Sequence, residues 1–198
     1  MHKSAKPILR LVLASIIIYH SGAYAAEQAM SSLIRFKTRV ETLKQLLPAT
    51  EVVTQRDITL TEIQRRKLKK LKNWNTDEVD FTIYHAKNKE EKIVRTVILF
   101  PEYTRQGMIM VAVGLSNQGE VVEALVMEAE NTVSEWLLPL LRSGYMETFS
   151  GKGKDLKLEL DKKFTASPFT PITRTYALHI ANAVKKSAQL FNVVFIKK

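Results

Sequence analysis

Apolar and polar positions follow three successive rhythms along this chain of 198 residues. The first is nearly unbroken: Leu11 to Tyr19 is apolar apart from Ser15, follows Lys3, Lys6 and Arg10, and leads to Ala23-Tyr24-Ala25. A cationic start, a short apolar stretch and a small-residue end are the order of a secretory signal. The apolar stretch is shorter than the roughly 20 residues a spanning helix needs. Residues 1–25 are therefore expected to direct export with cleavage near Ala25, an uncleaved anchor being the alternative. Both place the remainder outside the cytoplasm, and a periplasmic location is expected.

The second rhythm has a period near 3.6. Met30, Leu33, Ile34, Val40, Leu43, Leu46 and Leu47 predict one amphipathic helix over Glu27–Leu47, closed by Pro48. Thr59 or Thr61, with Glu62 behind it, caps a second helix that runs through Arg65-Arg66-Lys67-Leu68-Lys69-Lys70-Leu71-Lys72 and ends near Asn73. Residues 26–75 thus read as an N-terminal helical segment ahead of a main domain over 76–198.

After Asn75 the period drops to two. Val79–His85, Ile93–Phe100 and Met108–Leu115 predict successive antiparallel strands, and Asn117-Gln118-Gly119 turns the chain into a hairpin partner over Gly119–Met127. A helix is expected over Asn131–Leu141, capped by Asn131 or Thr132 and ended or kinked by Pro139. Leu156–Leu160 alternates like a strand, and Thr173–Leu190 carries Tyr176, Ala177, Ile180, Ala181, Val184 and Ala188 on one helical face. The fold class this implies is α+β: a single domain with a twisted antiparallel sheet packed by helices, preceded by N-terminal helices.

Composition removes several kinds of chemistry. The chain has no cysteine, so disulfides, thiolate metal sites and thiol catalysis are excluded. His2 and His20 belong to the export segment, which leaves His85 and His179, far apart in sequence and better read as surface or partly buried residues than as ligands. Glu120, Glu123, Glu128 and Glu130 alternate as a solvated strand face would, rather than as an acid and base pair. The formal charge is +10, and it falls to +7 once Lys3, Lys6 and Arg10 are removed. The cationic helix Arg65–Lys72 is an ordinary solvated face or a docking surface for an acidic membrane or partner. Export and the lack of interleaved aromatics speak against nucleic acid.

Three stretches follow one another in a telling order. They are Gly119-Glu120-Val121-Val122-Glu123-Ala124, then Gly144 through Phe149-Ser150-Gly151-Lys152, then Thr170-Pro171-Ile172-Thr173-Arg174-Thr175 at the start of the last helix. From Gly107 to about Phe191 the sequence resembles the small FMN-binding domain of the flavin-carrying subunits of Rnf-type and sodium-pumping NADH:quinone reductase complexes. The resemblance implies an extracytoplasmic electron-transfer protein with redox partner proteins on either side. It implies FMN held at Thr173, covalently or through its phosphate, with Thr170, Arg174 and Thr175 around the phosphate and Phe149, Gly151 and Lys152 approaching from the glycine loop. Pro171-Ile172 stand where the family has Gly-Ala. Pro171 lacks an N–H and Ile172 adds bulk, so the same stretch also fits a flavin-free domain kept as an interaction or accessory module of an exported or membrane assembly.

Overall fold

The computed structural model describes residues 32–48, 52–74 and 80–196, and the export segment expected over 1–25 lies outside the described residues. In chain order the elements are β1 (Leu33–Arg35), α1 (Arg39–Leu46), β2 (Val52–Thr59), α2 (Glu62–Lys69), β3 (Asp80–Lys87), β4 (Ile93–Tyr103), β5 (Met108–Ser116), β6 (Val121–Glu130), α3 (Asn131–Arg142) and α4 (Pro171–Phe195). Short 3-10 turns at Met146–Phe149 and Lys162–Phe164 lie between α3 and α4. The six strands form one antiparallel sheet in the order β1-β6-β5-β4-β3-β2. Strands β2 to β6 are a simple meander, and β1 is added beside β6. The α+β single-domain class expected from the pattern is the observed one.

Alternation along the central strands assigns the two faces. Ile98 and Phe100 of β4 with Ile109, Val111 and Val113 of β5 are fully buried and belong to the larger core, under α2, α3 and α4. Val97 of β4 and Ala112 of β5 point the other way, into a smaller core closed by Leu46 and Leu47 of α1 and the turn after it. Because both faces are covered at the centre, β5 reads as a nearly continuous apolar run rather than a strict alternation. Burying a Leu, Ile, Val or Phe side chain is worth about 1.5–3 kcal/mol. The larger core, with its buried leucines, isoleucines and phenylalanines, is therefore the principal source of stability.

The first half of the chain departs from its sequence-based expectation. Glu27–Leu47 is not one helix: of its described part, Leu33–Arg35 pairs with Glu128–Glu130, and helix begins only at Arg39. The break is the capping box of Thr38 and Glu41, in which each side chain bonds the other's backbone N–H, restarting the chain as a helix. Val52–Thr59, expected to fall within a helical segment, is the edge strand β2, paired with β3 along its whole length. Its signal is hidden by Gln55, Arg56 and Asp57, which an edge strand tolerates. The described residues of this stretch, 32–48 and 52–74, therefore supply both edges of the same sheet rather than a separate helical segment.

The second half conforms more closely. Thr61 caps α2 through Gln64, as expected, although α2 ends at Lys69 rather than near Asn73. Helix α3 runs through Pro139 to Arg142, since Leu137 and Leu140 are wholly buried and hold the last turn in place. No side chain caps it; Thr132, an expected cap, instead donates from Oγ1 to the carbonyl of Gln106 at 2.7 Å. Leu156–Leu160 is irregular: Leu156 is buried while Leu158 is 36% exposed, so the segment anchors by its first leucine and never joins the sheet. Helix α4 is 25 residues long and is capped by Thr170, with Pro171 in its first turn.

Candidate functional site

The start of α4 is built tightly. Thr170 Oγ1 accepts from Thr173 N–H at 3.2 Å, and the two threonine hydroxyls lie 2.9 Å apart. Arg174 N–H donates to Thr170 O at 3.0 Å, and Pro171 has no N–H to give. Among the first helical residues only Ile172 is left to offer a backbone donor outward. A phosphate cradle at a helix start relies on several such donors converging. This one has been reduced by its own cap and by proline.

The side chains complete the same picture. Thr173 is 3% exposed and belongs to the core-facing side of α4. Arg174 donates from Nη1 to Thr165 O at 2.7 Å, and Thr175 from Oγ1 to Pro171 O at 3.1 Å. Thr173 does not line the cleft that lies beside it; Thr175 does. A covalent phosphoester on Thr173 would require this hydroxyl to leave both its bond and its burial. The residues present do not fit that group.

The glycine loop lies elsewhere. Phe149 is 2% exposed, stacks edge-on against Tyr145 and sits beneath Lys152 Nζ, 5.9 Å from its ring centre. Gly151 N–H donates to Val121 O at 2.8 Å, and Lys152 O accepts from Val121 N–H at 2.7 Å, so the loop extends the edge of the β5–β6 turn. A Cβ on Gly119 of that turn would lie 2.8 Å from the Phe191 ring. The loop thus packs at the Phe191 end of α4. At 1.5 Å per residue, Phe191 is about 27 Å along the helix from Thr173. The structure does not bring Gly151 and Lys152 together with Thr170, Thr173, Arg174 and Thr175, while Phe149 is buried against Tyr145, whose hydroxyl donates to Ala177 O one turn after Thr173.

The cleft that the structure does form takes in Thr175 of the residues the resemblance assigned to a site. A cleft of about 660 Å³ lies between the β4–β5 turn and the first two turns of α4, walled by Tyr103, Arg105, Gln106, Thr175, Tyr176 and His179 among others. Tyr176 donates from its hydroxyl to Gln106 Oε1 at 2.9 Å and stacks on Trp136 at 5.4 Å, which fixes the floor. Behind His179 stands Glu102 of β4. Its carboxylate lies 3.5 Å from His179 Nδ1, accepts from Asn182 Nδ2 at 3.0 Å, and accepts from Lys186 Nζ at 3.1 Å. Burial alone would raise the pKa of Glu102, but the His179 contact, the Lys186 charge and the Asn182 bond together hold it below the ordinary carboxyl value.

This polar row continues along α4. Asn182 accepts from Asn73 Nδ2 at 3.1 Å, and Gln189 Oε1 accepts from both Asn73 and Trp74 Nε1, the latter at 2.8 Å. His179, Asn182, Lys186 and Gln189 are spaced by three and four, so one face of α4 is polar although Lys186 and Gln189 are buried and His179 and Asn182 half-buried. The periodicity was visible in the sequence. The signal that it faced a carboxylate was not, because Glu102 comes from 84 positions before Lys186.

His85, the other histidine, is structural: it is 3% exposed, Nδ1 shares a hydrogen bond with Thr96 Oγ1 at 3.0 Å, and its ring meets Phe195 edge-on. Among the described residues no group of three His, Asp or Glu is placed to hold a metal ion, and no helix is long and apolar enough to cross a membrane.

Set against known proteins, the chain matches no family model, no curated protein and no solved structure.

Proposed function

We propose that this protein is an exported α+β binding domain that carries no covalent flavin, and that it serves as an interaction or accessory module of an exported or membrane redox assembly. The observation that carries this reading is Thr173, whose hydroxyl is bonded to Thr170 and buried on the core side of α4. The working surface in this reading is the cleft between the β4–β5 turn and α4. Arg105 gives it a cation, Tyr103 is 67% exposed at its rim, and His179 is held from behind by Glu102.

One observation favours a second reading, in which FMN binds reversibly and the protein is an electron carrier between redox partners. The cleft volume falls inside the roughly 300–1,000 Å³ usual for cofactor sites, and Arg105 and Tyr103 offer a phosphate contact and a ring surface. When bound, the isoalloxazine would supply the electron transfer, while these residues would bind and orient it.

One preparation separates the readings. The full chain is exported in a host that has a flavin-transferring enzyme, and the purified protein is examined by visible spectrum, intact mass and FMN titration with thermal unfolding. The expected result is a colourless protein of unmodified mass. An FMN adduct that disappears in Thr173→Ala overturns the proposal. FMN-dependent stabilisation that is lost in Arg105→Glu establishes the reversible carrier instead.

A further inference from the structure

The far end of α4 carries a second recess, unrelated to the cleft. It has a volume of about 380 Å³ and lies between α2, the glycine loop and the last turns of α4; Lys67 and Lys154 border it, and Leu71, Val193 and Ile196 supply its apolar lining, with Asp155 as its acidic member. Lys154 Nζ reaches Asn192 Oδ1 at 3.5 Å, which draws the loop against the helix.

We infer that this end of the molecule docks onto an anionic lipid bilayer, with Lys67 and Lys154 meeting phosphate headgroups and the exposed apolar side chains entering the interface. Charge is the first argument. From Glu62 to Lys72 there are six cations and one acid, and Arg65 and Arg66 both pair with that acid, Glu62. Lys67, Lys69, Lys70 and Lys72 make no ion pair with any described residue. An ordinary solvated helix face of this kind would carry alternating acids.

The placement of apolar side chains is the second argument. Ile63 and Lys67 are four positions apart and share one side of α2, Leu71 follows in the turn after the helix and lines the recess, and Leu68, at 2% exposure, is the residue α2 buries. Ile63 is 68% exposed and Leu71 40%, and Ile196 at the end of α4 is 37% exposed beside the same recess. Lysine stems flanking exposed Ile and Leu are the composition of an interfacial surface, where the ammonium stays at the headgroup level and the apolar tips go deeper. An acidic protein groove would be met by the charges but would leave Ile63 in water. The export segment expected from the sequence places this surface where a membrane leaflet is available.

The full chain is to be floated with vesicles of phosphatidylcholine alone and of phosphatidylcholine mixed with phosphatidylglycerol. Binding is expected only to the mixed vesicles and is released by salt. Each lysine near an anionic surface is worth about a fivefold change in partitioning, so Lys67→Gln with Lys154→Gln is expected to weaken binding about 25-fold. Ile63→Ser, at an exposed position, weakens it without changing charge. Lys162→Gln, on the 3-10 turn near the opposite end of α4, leaves it unchanged. Equal binding to both vesicle types, or a loss in Lys162→Gln as large as in the double variant, overturns the inference. So does equal competition by soluble glycerophosphoglycerol, which would make the recess a small-anion site, or by poly-glutamate, which would make it a site for an acidic protein.

Discussion

The Glu102 carboxylate of β4 and the Lys186 ammonium of α4 meet at 3.1 Å with both side chains 7% exposed. Lys186 also lies 5.3 Å from the centre of the Phe100 ring, so its charge is enclosed by one acid and one aromatic face. Removing one partner of such a pair leaves the other charged in a poorly solvated place, which costs about 3–5 kcal/mol. Lys186→Met is expected to lose that much in urea unfolding, and Glu102→Leu combined with Lys186→Met to recover more than half of it. A single variant costing under about 1 kcal/mol would mean that the pair is relaxed by water.

Acid is expected to destabilise the fold in two stages. Burial first, then the charges of Arg56 and Lys87, hold His85 below its ordinary value of 6.5. The unfolded chain therefore takes up a proton that the folded one refuses, and stability falls as pH drops below that value. Glu102 is also held below its ordinary 4.5, so its contribution is complete above that pH and is lost as pH falls further through the folded value. Unfolding free energy measured against pH should show both stages. His85→Gln should flatten the first and leave the second; an unchanged profile in that variant would assign the first stage to another group.

Thr170 is the N-terminal side-chain cap of α4, so Thr170→Ala is expected to cost about 1 kcal/mol in chemical denaturation. Thr170→Ser keeps the acceptor and should stay near the parent. A loss much larger than this would show that the hydroxyl pair with Thr173 contributes beyond capping.

Two glycines with similar backbone angles should respond differently to alanine. Gly151 has φ +75° and no atom within 4 Å of the place an added methyl would occupy, so Gly151→Ala carries only the backbone cost of about 1 kcal/mol. Gly119 has φ +83° and the Phe191 ring 2.8 Å from that position, so Gly119→Ala adds overpacking of about 1–3 kcal/mol. Thermal unfolding of the two variants side by side tests the order.

Elements whose periodicity is dictated by burial on one known side were legible in the sequence. The strands β3 to β6 and the last helix fall near where the pattern puts them, because apolar side chains there face a core, while the basic helix was legible from its Thr61 cap and not from an apolar face, since Leu68 is its one buried residue. Val52–Thr59 was not legible, since an edge strand needs no apolar face and its pairing with β3 is a property of the tertiary sheet. Leu33–Arg35 is three residues long and owes its extended form to β6, not to its own preference.

For the site, sequence placed Thr170–Thr175 at the start of the last helix, which begins at Pro171 rather than at Thr173, but not the direction of each hydroxyl, which the helix phase decides: Thr173 turns inward and Thr175 outward. It missed the cleft because its walls come from β4 and α4, and it missed Glu102 because a lone acid ending an apolar strand resembles the onset of a turn. The placement of Lys152 near Phe191 rather than near Thr173 could be read only once the loop was seen to bond Val121.

Helix α4 acts as a spacer as well as a core element. Thr175 in the cleft wall and Asn192 beside the basic recess are 17 residues apart, about 26 Å along a rigid axis. A molecule tethered to lipid by the recess therefore carries its cleft a fixed stand-off from that anchor. Shortening α4 by whole turns would alter this reach in steps of about 5.4 Å while keeping both ends in the same rotational phase only approximately. The length of one helix thus sets the working radius within which the cleft can meet a partner.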